Sequence, residues 1–177
     1  MYIWVAIDVD EQVLNLRKSA EEYAKSRGLT SSTLSLPFHI SLKISFQIPD
    51  DMYSKVLCNI RDFFKLVKPF TIPVNKVEMN GSIIWLIMKD VVELNYIHNA
   101  LDSFLLEKYG IEQHEFDKNF IFHTSILIID DEVELNNALK IIKNIDIPCM
   151  LEAKKIIIGS SLNGKPGTYS VNEEIII

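Results

Sequence analysis

Between Pro37 and Phe46 apolar and polar residues alternate one for one: Phe38, Ile40, Leu42, Ile44 and Phe46 share one parity, His39, Ser41, Lys43 and Ser45 the other. Successive side chains of a strand point to opposite faces. The stretch therefore predicts a strand with an apolar underside and an upper face carrying an imidazole, two hydroxyls and an ammonium. The pattern returns at 120–126 (FIFHTSI), where His123 and Ser125 fall on one face. Ile121, Leu127 and Ile129 share that parity, which predicts a largely apolar and buried face there. Two strands that each present His and Ser two residues apart point to one site built from both.

The rest of the chain reads in the same terms. Residues 2–8 (YIWVAID) predict a buried strand. Asp10 then stands as an N-cap for a helix whose apolar stripe ends at Gly28. Residues 30–35 (TSSTLS) make a small-polar loop before the first His strand, which Pro49 closes. Asp50-Asp51 opens a second helix, broken by Pro69, and two strands over 70–79 and 82–88 meet at Asn80-Gly81, a hairpin signal. A third helix is predicted over 91–109, stopped by Gly110, and a polar loop (IEQHEFDKN) leads to the second His strand. Asp130-Asp131 opens a fourth helix. From Pro148 to about Gly159 the pattern predicts one strand, and after the Gly-rich turn 163–167 a last strand covers 169–177.

This order contains a repeat of strand, helix, small-polar loop, His strand, helix, strand. Ile3-Trp4 and Ile84-Trp85 lie 81 residues apart, and His39 and His123 lie 84 apart. A pseudo-twofold arrangement of two lobes would carry both His-Ser faces to one central cleft.

Composition narrows the function classes. At 177 residues, 48% hydrophobic and 24% charged, the chain predicts a folded, soluble domain of ordinary size. No apolar run reaches the roughly 18–20 residues of a membrane span, and the N-terminal stretch lacks the basic and small-residue marks of a signal peptide. A cytoplasmic protein that needs no partner chain, a monomer, is the resulting expectation. A net charge of −6 argues against broad binding to long nucleic acids, but not against one phosphate held by local donors. Cys58 and Cys149 have no metal spacing and read as reduced structural thiols.

Three chemistries fit two His and two Ser. Two nitrogens with no acid or thiol on their face make a poor zinc set. A serine hydrolase would want a Gly-x-Ser-x-Gly elbow, which the chain lacks. The third is an acid–base pair flanking a phosphodiester, with one imidazole taking a proton from water and the other protonating the leaving oxygen. The Ser hydroxyls would then donate to non-bridging oxygens, without metal or other cofactor.

His39-Ile40-Ser41-Leu42 and His123-Thr124-Ser125-Ile126 resemble the paired His-x-Ser/Thr-hydrophobic motifs of the 2H phosphoesterase superfamily, and most closely its 2′-5′ RNA ligase-like branch, which includes RNA 2′,3′-cyclic phosphodiesterases. The resemblance covers nearly the whole chain, and Phe120, three residues before His123, fits it too. It implies a bilobal α+β fold, with antiparallel sheets lining a central cleft and helices outside. It also implies a metal-independent activity on 2′,3′-cyclic phosphate RNA ends, small nucleotide phosphodiesters or 2′-5′ linkages. His39 and His123 would be the acid–base pair, Ser41 and Ser125 the phosphate ligands. The bacterial cyclic phosphodiesterases of this type often carry Pro before the second His and Arg shortly after it, where this chain has Phe122 and Ile128. Lys43 stands on the His39 face as a replacement cation, and Tyr169 as an aromatic for a base or phosphate. Lys154 and Lys155 take opposite faces of their strand, so one of them points to the cleft. Trp4 and Trp85 read as core, His98 as packing and His114 as a solvated loop residue. The rival readings are a non-catalytic module that holds an RNA end or nucleotide in the same cleft, and a purely structural protein.

Overall fold

The computed structural model describes residues 1–118 and 120–177. Strand β1 (Tyr2–Asp8) is buried along nearly its whole length and leads through a 3-10 turn (Asp10–Val13) into α1 (Leu14–Arg27). Gly28 ends α1 in the left-handed region at φ 65° and returns its N–H to Ala24 and Lys25. Asp10 does not cap this helix. Its carboxylate turns back to accept from the Phe38 N–H and the Arg17 guanidinium, and so braces the entry to β2 (His39–Gln47). Helix α2 (Tyr53–Phe64) buries Val56, Leu57, Ile60 and Phe64. The hairpin of β3 (Phe70–Asn80) and β4 (Ile83–Met88) turns at Gly81. Helix α3 (Val92–Tyr109) precedes β5 (His123–Ile128), and α4 (Glu132–Ile142) starts at Asp131, whose carboxylate accepts from the Glu134 N–H.

The single strand expected over 148–159 is two: β6 (Met150–Ala153) and β7 (Lys155–Ser161), followed by β8 (Ser170–Ile176). The break at Lys154 falls where the chain changes sheets. The Gln12 side chain clips the backbone of Glu152 from both sides just before it, and Ile177 donates to the Lys154 carbonyl.

Two antiparallel four-stranded sheets result, ordered β2-β1-β7-β8 and β5-β4-β3-β6. Each pairs a central strand with its own His strand on one side (β1 with β2, β4 with β5) and takes strands from both halves of the chain. Helix α3 packs on β2, whereas α1 and α4 pack on β5, β4 and β3. One continuous core fills the space between helices and sheets, with Phe38, Ile40, Phe122 and Ile126 in it. The opposite face of the first sheet carries a small cluster of its own, Trp4, Ala6 and Ile157.

Candidate active site

His39 and His123 are each the first residue of their strand. In both, ring Nδ1 lies 2.7 Å from the carbonyl oxygen two residues back, Pro37 and Ile121 respectively. A carbonyl oxygen only accepts, so Nδ1 carries the hydrogen in each ring, and the Nε2 lone pair of the neutral form is left for a substrate or water. Each ring also lies flat on an indole. Trp4 stacks on His39 with centroids 4.6 Å apart and planes 25° from parallel; Trp85 stacks on His123 at 3.8 Å and 21°. Two residues 84 positions apart thus sit in matching settings.

Burial pushes both imidazoles below the ordinary value of 6.5. For His39 the Pro37 carbonyl and the charges of Asp8 and Asp10 pull in the other direction. For His123 the Ile121 carbonyl does so, while charge on His39 adds to the depression.

Ser41 and Ser125 lie two residues along, each half-buried, opposite Ala6 and Trp85. Among the described residues no protein group hydrogen-bonds either hydroxyl, so both are free to donate. Between them the strands are tied together by Thr124, whose hydroxyl donates to the His39 carbonyl at 3.0 Å.

Both His strands slip by one residue at the same place. Val5 opposes Lys43 and Ala6 opposes Ser41, which leaves Leu42 as an extra residue. Ile84 opposes Leu127 and Trp85 opposes Ser125, which leaves Ile126 extra. Such a bulge reverses the facing of the residues that follow it, in β2 only as far as a second slip between the Val5 and Ile3 pairings, which restores it for Ser45 and Phe46; two expectations fall with it. Leu127 and Ile129 turn into the core rather than extending the His123 face, while Ile121 is 54% exposed; His123 and Ser125 are half-buried rather than buried. Lys43 also turns inward. At 1% exposure its ammonium sits 2.7 Å from both Asp102 and Asp117, and it is not brought to the site.

Tyr169 is brought to the border of the site: its ring packs against the Trp4 cluster, and its hydroxyl meets Ser45. Lys155 reaches Asp8, the residue opposite His39, at 2.6 Å; Lys154 pairs with Glu152 instead. His98 is buried against the Leu42 carbonyl and His114 stays in its exposed loop. Ile128, at the expected Arg position, ends β5, and both cysteines are free and exposed. The alternation missed the stacked indoles and Thr124. The matched Trp4 and Trp85 in the repeat were the sole signal for the former.

Solved structures share this two-sheet α+β fold along the full length of the chain. TT0787 of Thermus thermophilus superposes with a TM-score of 0.69 at 16% identity, covering 99% of this chain and 97% of its own. A protein solved as a phosphoesterase gives 0.59 at 15% identity, with 99% and 97% covered. LigT of E. coli in complex with 3′-AMP gives 0.60 at 14% identity, again with 99% and 97% covered. No family model matches the chain, and no curated protein does.

Proposed function

We propose that the chain is a phosphodiesterase that opens a 2′,3′-cyclic phosphate at an RNA or nucleotide end, or acts on a 2′-5′ linkage, with His39 and His123 as its acid–base pair. The observation that carries this reading is the matched pair of rings, each held by Nδ1 so that Nε2 is free for proton transfer. One neutral imidazole takes a proton from water as the water oxygen bonds to phosphorus. The other, protonated, gives its proton to the ribose oxygen as the P–O bond breaks. Exchange with solvent then restores both rings. Ser41 and Ser125 donate to the non-bridging oxygens, where negative charge grows. Both proton transfers run through imidazoles, so the reading calls for no metal. The LigT structures with 3′-AMP and NADP+ bound support a nucleotide phosphate as the ligand class.

The test is incubation of the EDTA-treated protein with a short RNA ending in a 2′,3′-cyclic phosphate and, separately, a 2′-5′-linked dinucleotide, read by mass. Gain of one water on the first, lost in His39→Ala and His123→Ala, is expected; scission of the second alone would move the activity to 2′-5′ linkages. Tight binding of either RNA without product would replace the enzyme with a binding module.

A further inference from the structure

We propose that Trp4 and Trp85 are positioning residues, one for each reactive histidine, which fix the imidazole plane and stabilise its protonated form. This rests on the acid–base reading above. The chain has two tryptophans, and each lies under one of the two motif histidines. A ring held only through Nδ1 can still tilt about that bond. An indole against its face removes the remaining freedom, and Nε2 is then aimed by two independent contacts.

The same contact bears on charge. Burial disfavours the imidazolium on which proton transfer depends. The electron-rich face of an indole attracts a cation within about 6 Å, and does so more strongly where water is excluded. Both indole N–H groups are buried without a hydrogen-bond partner among the described residues. An unpartnered buried N–H is a cost that phenylalanine would avoid, so what tryptophan adds at these positions is its face. The first sheet is also shaped around Trp4. Gly159 lies opposite it, and a Cβ there would come within 2.3 Å of the indole Cε2. A larger residue would push the ring out from under His39.

The other charges near His39 are Asp8 at the end of β1 and Asp10 just after it, with Lys155 of β7 paired to Asp8, and His123 from the opposite strand. Near His123 the charge that registers is that of His39. Neither set supplies a symmetric stabiliser for both rings; the indoles do.

The experiment is an NMR titration of the imidazole signals in the intact protein, which needs no turnover. Trp4→Leu should lower the His39 midpoint by about 0.5–1 pH unit and leave His123 nearly still, and Trp85→Leu should do the reverse. Phe at either position should retain part of the effect. Each Phe variant also keeps a single indole, whose fluorescence should fall as its own histidine gains a proton; His→Asn at that histidine should abolish the fall. On an active substrate the Leu variants should lose kcat with little change in KM, and their acidic limb should move with the NMR midpoint. Unchanged or raised midpoints, or fluorescence that ignores the stacked histidine, overturn the proposal. If the midpoints move but no phosphodiester is turned over, the stacking role stands and the enzymatic reading is what fails.

Discussion

The Thr124 hydroxyl and the His39 carbonyl oxygen are hydrogen-bonded at 3.0 Å, which ties the second motif to the first through a residue with no exposed surface. The bond spans 85 positions of sequence and joins β5 to β2, so it sets how one histidine stands relative to the other. Thr124→Val should leave that carbonyl short of a donor and cost about 1–3 kcal/mol, with kcat falling further than stability alone explains. Thr124→Ser keeps the hydroxyl and should recover most of both. Urea midpoints beside turnover of the two variants decide it; equal behaviour of Val and Ser would show that the bond is idle.

Lys43 is held between two carboxylates and out of solvent. Lys43→Met should strand both charges and destabilise by about 3–5 kcal/mol, a large share of the roughly 5–15 kcal/mol that holds a domain together. Adding Asp102→Asn and Asp117→Asn should restore much of the loss. Phosphate or nucleotide affinity in the folded variant should be unchanged. A selective loss of that affinity would return Lys43 to the site.

Ser41→Ala and Ser125→Ala each remove one uncommitted donor. Donors aimed at developing charge are worth about 10²-fold or more in kcat, and the loss should fall on kcat with KM moving little. Steady-state kinetics on the cyclic phosphate end measure it, and wild-type kcat in both variants would remove the serines from the mechanism.

Both histidines bind protons less readily folded than unfolded, because burial lowers them from 6.5. Below pH 6.5 the unfolded chain therefore takes up protons that the native state declines, and acid favours unfolding. Stability from this source is complete above pH 6.5 and is lost as pH falls towards the lower native values. The urea midpoint should drop between about pH 7.5 and about pH 5.5 by more in the wild type than in a His39→Asn/His123→Asn double variant. Equal drops would assign the acid sensitivity to other groups. The base limb of activity should likewise extend below pH 6.5.

Strand β1, the caps at Gly28 and Gly110, and the Asn80-Gly81 hairpin were legible because each rests on neighbours within a few residues. His39, Ser41, His123 and Ser125 were legible for a related reason: each His and its Ser lie two residues apart, ahead of the bulges. Lys43 and Leu127 lie beyond them, and a one-residue slip set by cross-strand pairing leaves no mark in hydrophobic alternation. The division at Lys154 was hidden because β6 and β7 are both apolar enough to read as one strand, and only their partners differ. The indole stacks depend on which strand lies beside which, information that the repeat hinted at and alternation could not supply.

The sharing of strands between the sheets also sets an order of events at the ribosome. The sheet that carries His39 needs β7 and β8, drawn from 155–176, while the one that carries His123 is complete once β6 ends at Ala153. The half that is translated first is thus the half that closes last, and the exposed flank of β1 has to wait for more than 140 residues to emerge. Long waits of this kind slow folding and leave strand edges open to wrong partners. His39 stands in a completed sheet only after β8 has been made.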